Sequence, residues 1–254
     1  MSLTGPKGEK ERLDRLLVLR GLAESREKAK ALIMAGLVEV EGMRVDKAGH
    51  PVPVWASISV KSSGHPYVSR GGVKLEAAIE HFKVDVESLL LLDIGASTGG
   101  FTDCLLRHGA GKVIAVDVGY GQLHWKLRQD PRVEVRERTN IRHLTPEDLK
   151  TPVRGAVIDV SFISLKLVVP PVSRLLSDRA FIIALIKPQF EVGKGQVGKG
   201  GVVRDPALHR TVLDDITRFF EASHWRVEGH IPSPLMGPKG NREFLIYVTR
   251  KKDQ

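Results

Sequence analysis

Between Leu89 and Val248 short apolar runs alternate with helix-like stretches, and this alternation limits the possible folds more than any other feature of the sequence. Apolar runs of four to eight residues read as strands buried on both faces. They fall at Leu89–Ile94, Lys112–Asp117, Val133–Arg136, Gly155–Val160, Phe181–Ile186, Arg226–His230 and Glu243–Val248. Helical stretches lie between them, as at Lys74–His81 and Pro206–Ala222. Asp205 as N-cap and Pro206 at the first helical position mark the start of the second. Strands and helices in this order build an α/β fold, a mostly parallel sheet with helices on both faces. Ligands of such sheets bind beyond the carboxyl ends of the strands.

A small α+β module precedes this sheet. Leu13, Leu16 and Leu17 sit at helical spacing, and Gly21 stops that helix. Ser25 caps a second helix, whose stripe is Ala29, Leu32 and Ile33 and whose end is Gly36. Val38 and Val40 then alternate as a strand, and Glu41-Gly42 turns the chain. The polar, turn-forming run Lys61-Ser62-Ser63-Gly64-His65-Pro66 reads as a linker. The expected domains are therefore 8–61 and 68–251, joined by 62–67, and a chain of 254 residues is ample for both.

Lys and Arg number 39 against 30 acids, a net charge of +9. That excess points to a polyanionic partner. Arg12, Arg15, Arg26, Lys28 and Lys30 of the front module are placed to meet phosphates, as are Arg70 and the loop residues Lys194 and Lys199. The loop, Gly193 to Gly200, resembles a phosphate-binding G-x-x-x-x-G-K, but it lacks the Ser or Thr that would hold magnesium and no helix follows it. Cys104 is the one cysteine, so no internal disulfide forms. Met1 to Arg12 is polar, without the apolar core of a signal peptide. The runs at Leu89–Leu92 and Ala180–Ile186 are far too short to span a bilayer. A soluble cytoplasmic protein is expected.

The segment Leu92-Asp93-Ile94-Gly95-Ala96-Ser97-Thr98-Gly99-Gly100-Phe101 carries the most chemistry. A buried strand runs into a glycine-rich turn and then a helix, and Gly95 and Gly99 let a ligand approach the backbone. Asp117 ends the next strand, where an acid accepts hydrogen bonds from both ribose hydroxyls of a nucleoside. A dinucleotide site wants glycine where Ser97 stands. The G-x-S-x-G of a hydrolase elbow matches literally, yet an elbow follows several strands of its domain and this turn follows the first. A purely structural turn is the remaining alternative. A nucleoside cofactor is the favoured ligand, with contacts expected from Asp93, Gly95, Ala96, Ser97, Thr98, Gly99, Gly100, Phe101, Asp117 and Asn140.

That turn, together with Ser69-Arg70-Gly71-Gly72-Val73-Lys74-Leu75, Asp159-Val160-Ser161-Phe162, Lys187-Pro188-Gln189-Phe190-Glu191, Val203-Arg204-Asp205 and Asn241-Arg242-Glu243-Phe244, resembles the hemolysin-A-type (TlyA) ribosomal RNA 2′-O-methyltransferases. The larger part also resembles the broader FtsJ-like methyltransferases, and Arg12 to Val60 resembles the alpha-L (S4-like) RNA-binding motif. The one small departure is Ala48, where proline is usual. The resemblance implies a Rossmann-like sheet of seven strands, one antiparallel, that binds S-adenosylmethionine and acts on ribosomal RNA or ribosomal subunits.

It also implies a catalytic tetrad of Lys74, Asp159, Lys187 and Glu243. The sequence reading places three of these at strand ends and Lys74 at a helix start; the alternative is four surface charges. Lys187 is then the group that accepts the proton of a ribose hydroxyl or faces its developing charge, with Asp159 orienting it and Glu243 holding Lys74. Phe162, beside Asp159, is either a core residue or a stacking platform for an unpaired base. No metal is expected, since the nine histidines form no ligand-spaced cluster with acids or Cys104. Two rival classes remain at this point. One is a non-catalytic RNA-binding or ribosome-assembly factor, which needs no tetrad. The other is a membrane-lytic toxin, suggested by the family's older name, which needs a membrane-active segment.

Overall fold

The seven apolar runs pair into a single sheet. The computed structural model describes residues 9–251 except 24, 35, 61–64, 150, 194 and 199. Chain contacts divide it into two units, Met1–Pro66 and Tyr67–Gln254.

In the first unit, β1 (Lys10–Arg12) leads into α1 (Leu13–Leu19), followed by α2 (Arg26–Met34), β2 (Val38–Val40), β3 (Met43–Arg44), β4 (Pro51–Pro53) and β5 (Ile58–Val60). β1 pairs with β4, and β3, β2 and β5 form a second small antiparallel sheet. Glu41 (φ 50°) and Gly42 (φ 75°) are both left-handed, the geometry of the tight turn that suits a right-twisted hairpin. Leu13, Leu17, Ala29, Ile33 and Val38 are wholly buried and make its core.

The second unit begins with α3 (Gly71–Phe82), then β6 (Leu90–Ile94), α4 (Gly100–Arg107), β7 (Lys112–Val116), α5 (Trp125–Gln129) and β8 (Val133–Arg136). It continues with β9 (Val153–Ile158), α6 (Leu165–Leu175), β10 (Leu176–Ile186), the single turn α7 (Pro188–Glu191), α8 (Pro206–Ala222), β11 (Trp225–Pro232) and β12 (Phe244–Arg250). The sheet order is β11-β12-β10-β9-β6-β7-β8. Only β12 runs against the others, pairing antiparallel with both β10 and β11. This is the expected seven-stranded Rossmann-like sheet with one reversed strand.

Residues of the central strands alternate between its two covers. In β6, Leu91 joins a cluster with Leu75 and Leu105, while Leu92 and Ile94 join another with Phe220 and Trp225. Burial on both faces is why these strands read as unbroken apolar runs. α8 begins where its sequence signals put it: the Asp205 side chain accepts from the Ala207 amide at 2.8 Å, with Pro206 next.

The strand order reverses between β6 and β9. From β6 the chain moves outward through β7 and β8, then returns to place β9 on the other side of β6. The crevice beyond the carboxyl ends of these two strands is where such a sheet takes its ligand.

Candidate functional site

Two turns face each other across that crevice. The turn after β6 carries Gly95 at φ 82°, and a Cβ there would stand 2.5 Å from the carbonyl oxygen of Asp159 in the turn after β9. Only glycine fits. Gly99 is also left-handed, at φ 95°, and a Cβ there would collide with Leu127. The two turns also hold non-glycine residues in left-handed conformation, Ser97 (φ 49°) and Phe162 (φ 65°). Such outliers concentrate where structure serves a ligand.

The turns open on a cleft of about 300 Å³ lined by Ser69, Arg70, Gly71, Lys74, Gly95, Ala96, Ser97, Thr98, Gly100, Phe101, Asp159, Ser161, Lys187 and Glu243. Four segments far apart in sequence thus bring two lysines and two carboxylates to one cavity. Asp159 sits one residue beyond β9 and Lys187 one beyond β10. Glu243 immediately precedes β12, whose reversed direction carries it to the same edge. Lys74 is the fourth residue of α3, because the helix starts three residues earlier than its apolar pattern suggests.

The four form two pairs. Lys74 Nζ donates to Glu243 Oε2 at 2.5 Å, with side chains 7% and 0% exposed. Lys187 Nζ donates to Ser161 Oγ at 2.8 Å and meets Asp159 Oδ1 at 2.6 Å, the latter a charge contact outside hydrogen-bond geometry. Glu243 Oε1 is buried and has no hydrogen-bond donor among the described residues. Gly237 packs so closely on it that a Cβ there would collide with that oxygen. A buried acceptor left open inside a cleft is a place for a ligand hydroxyl or ammonium.

Several expected residues stand differently from the sequence reading. Asp93 is wholly buried and turned inward, accepting from the Thr102 amide (2.9 Å) and Thr102 Oγ1 (2.6 Å) on Oδ2. It braces the first turn of α4 rather than reaching the cleft. Burial pushes its carboxyl up to about 7; the Thr102 hydrogen bonds oppose this and nearby Asp159 adds to it. Gly99 packs against Leu123 and Leu127, away from the cleft lining. Asp117 accepts from the Ser97 and Gly119 amides, each at 2.7 Å, so it shapes the glycine turn. Each oxygen keeps a lone pair for a ribose hydroxyl. Asn140 caps the short turn Ile141–His143, accepting from the Arg142 amide at 3.1 Å, and is not among the residues lining the cleft.

The cationic residues divide as well. Arg12 and Arg26 both grip the buried carboxylate of Asp14, at 3.0 and 2.9 Å, and Arg15 lies 3.4 Å from Glu11. The first two therefore hold the N-terminal unit together while about half of each side chain stays exposed. Lys28 is half-buried, Lys30 is exposed, and Arg70 lines the cleft. Lys194 and Lys199 lie outside the described residues. Phe162 is 91% exposed, so it is no core residue; its ring lies 5.1 Å from that of Phe190.

Sequence reasoning missed four groups. Ser161 and Phe190 lie inside motifs quoted for the resemblance, two residues after Asp159 and three after Lys187. Asn241 also lies inside such a motif, two residues before Glu243, whereas His209 had no visible signal. Both are buried, and both grip Val203: Asn241 Oδ1 accepts its amide at 3.1 Å and His209 Nε2 donates to its carbonyl at 2.9 Å. Asn241 Nδ2 also donates to the Gly201 carbonyl at 3.0 Å. The far end of the glycine-rich loop is thereby fastened two residues before Glu243.

The residues fit a cofactor that carries a nucleoside. Small side chains and glycine line one wall, Asp117 lies at the end of the neighbouring strand, and an open buried carboxylate oxygen waits at the far wall.

Comparison with known proteins agrees. The FtsJ-like methyltransferase family matches residues 67–250 and the S4 domain matches residues 11–54. A Bacillus subtilis (strain 168) protein, provisionally named rRNA methyltransferase YqxC, is 52% identical over 241 residues, covering 94% of this chain and 86% of that protein. The 16S/23S rRNA (cytidine-2′-O)-methyltransferase TlyA of Mycobacterium tuberculosis (strain ATCC 25618 / H37Rv) is 48% identical over 244 residues, covering 96% and 91%. The solved structure of a provisionally named hemolysin from Streptococcus thermophilus superposes with a TM-score of 0.76 at 46% identity, covering 95% of this chain and 89% of that one.

Proposed function

The chain belongs to the FtsJ-like methyltransferase family and carries an S4 domain, and on that premise we propose that it transfers a methyl group from S-adenosylmethionine to a ribose 2′-hydroxyl of ribosomal RNA. The observation that carries this reading is the convergence of Lys74, Asp159, Lys187 and Glu243 on one cleft with the Gly95–Thr98 turn. A non-catalytic assembly factor would need the basic surface alone.

S-adenosylmethionine, when bound, supplies a sulfonium methyl that needs no further activation. Gly95, Ala96, Ser97 and Thr98 would hold it, with Asp117 receiving the ribose hydroxyls. The difficulty lies in the acceptor, because a ribose hydroxyl is a weak acid. Asp159, 2.6 Å from Lys187 Nζ, holds that nitrogen at the acceptor's side of the cleft. Lys187 Nζ accepts the hydroxyl proton, and the ammonium so formed faces the reacting oxygen. Ser161 fixes the direction of Nζ. Lys74 holds one oxygen of Glu243, and the open oxygen would accept from a hydroxyl or ammonium of the bound cofactor. Orientation of this kind lowers the barrier separately from proton transfer, which is worth about 10²–10⁴-fold.

Phe162 stands in water at the rim of the site, beside Phe190, in strained backbone. It offers a face to an unpaired base next to the acceptor ribose, a contact worth about 1–3 kcal/mol. Phosphates meet the exposed cations of the N-terminal unit and Arg70. No helix among the described residues is long and apolar enough to cross a membrane. The cytoplasm, where ribosomal RNA is found, is the proposed place of action.

The test is transfer of tritiated methyl from labelled cofactor to ribosomal subunits taken from cells that lack the modification. Label should appear on ribose, detected as resistance of the following phosphodiester to alkaline cleavage. Label on a base, or RNA binding with no transfer at all, would overturn the proposal.

A further inference from the structure

The catalytic unit has a larger hollow at the opposite end of its sheet, where β10 and β11 begin and β12 ends. Pairing between β9 and β10 shifts from Val153↔Leu176 to Gly155↔Phe181, so five residues of β10 span two of β9. The extra residues bulge from the sheet and lift Asp178 and Arg179 into solvent. Behind the bulge lies a groove of about 800 Å³. Its floor includes Phe181 and Tyr247, and its rim Arg179, Arg226, Arg250 and Lys251.

Two of the rim cations, Arg250 and Lys251, are held in place by backbone carbonyls. Arg250 donates to the carbonyls of Ser173 (2.8 Å) and Leu176 (3.2 Å) and lies over the Trp225 ring. Lys251 donates to the Glu221 carbonyl at 2.8 Å. Carbonyl partners orient a charge and leave it in place. Arg226 pairs with Glu228 at 2.6 Å, and Asp178 stands 3.9 Å from Arg250. Arg179 makes no ion pair or hydrogen bond among the described residues. Four cations therefore face two acids in a concave wall, which focuses positive potential outward.

Nothing at the catalytic edge uses these groups. Six steps along the chain separate Phe181 from Lys187, about 20 Å at roughly 3.3 Å per residue. A trinucleotide lying in the catalytic cleft does not reach so far; a helix of a folded RNA does. Guanidinium groups on an exposed bulge suit phosphate oxygens.

We propose that this groove is a second RNA contact, which takes the phosphodiester backbone of a helix of the substrate RNA at a distance from the modified nucleotide. It rests on the reading that ribosomal RNA is the substrate. The groove selects folded RNA over short single strands.

The test uses the full chain carrying Arg179→Glu and Lys251→Glu together, with Arg179→Gln and Lys251→Gln as a milder pair. Binding is measured to protein-free 23S ribosomal RNA, to assembled ribosomal subunits and to a trinucleotide, across a salt series. The charge-reversed protein should bind 23S RNA at least tenfold more weakly, with the salt slope reduced by about 2. Affinity for the trinucleotide, cofactor binding and melting temperature should not change. The neutral pair should give a smaller loss in the same direction. Unchanged 23S affinity and slope in both pairs would overturn the proposal. So would weaker binding to subunits alone, which would put a ribosomal protein in the groove. A wild-type protein that binds 23S RNA but transfers no methyl would instead sink the reading of the reaction and leave the groove standing.

Discussion

Replacing Lys74 with methionine strands the Glu243 carboxylate. The pair is almost dry, with side chains 7% and 0% exposed and an Nζ–Oε2 distance of 2.5 Å. Removing one partner of a buried pair costs about 3–5 kcal/mol, because the surviving charge keeps its desolvation and loses its cation. In a domain of this size each kcal/mol is worth about 2–4 °C, so the melting temperature should fall by roughly 6–20 °C. Adding Glu243→Gln removes the stranded charge, and most of that loss should return. Methyl transfer should be lost in both variants. Calorimetry on the full chain gives the stability, and transfer of labelled methyl, measured below both transitions, gives the activity. A single substitution costing less than about 1 kcal/mol would contradict the burial argument. A double variant that regained turnover along with stability would show the pair to be structural and unconnected with the chemistry.

Three further outcomes are expected. Asp93, pushed up to about 7 by burial, holds its proton more tightly folded than unfolded, where the value is 3.8. Its contribution to stability is therefore complete below about pH 4 and lost as pH rises through 7. Asp93→Asn should flatten that limb of a stability–pH curve, and an unaltered limb would refute the assignment. Asp14 is the opposite case: hydrogen bonds from Arg12 first, and then Arg26, hold its carboxyl well below the usual range. Its contribution is present above about pH 4 and disappears on acidification, and Asp14→Asn should cost the N-terminal unit about 1–3 kcal/mol, read by chemical denaturation. Asn241→Ala leaves the Val203 amide and the Gly201 carbonyl without their partner. Limited proteolysis should then cut faster within 193–204 and transfer to RNA should fall, while cofactor affinity holds.

The sheet was readable from the sequence because burial on both faces writes itself as apolar runs, and because Asp205-Pro206 states where α8 begins. Strand ends were placed within a residue or two at the catalytic edge, where glycine, aspartate and lysine interrupt the runs. They were missed at the start of β10, where Leu176–Ala180 includes polar residues and a bulge that no alternation announces. Lys74, Asp159, Lys187 and Glu243 were assigned through resemblance. The spacing of residues put each at an element's end but could not say that they meet. What stayed hidden was direction. Asp93 reads as a ligand contact and turns inward to Thr102. Arg12 and Arg26 read as free cations and share Asp14. Phe162 could be core or platform, and only its exposure decides. The grip of Asn241 and His209 on Val203 joins residues 38 and 6 positions apart through backbone groups, which no pattern of side-chain types records.

The most direct measurement pairs two readouts on Lys187→Ala: calorimetric affinity for S-adenosylmethionine, and methyl transfer to ribosomal subunits at saturating cofactor. Undiminished cofactor affinity with transfer reduced to background is the expected result. Turnover near that of the unaltered protein would mean that Lys187 does not serve the acceptor oxygen, and the role given to the four converging side chains would fall with it.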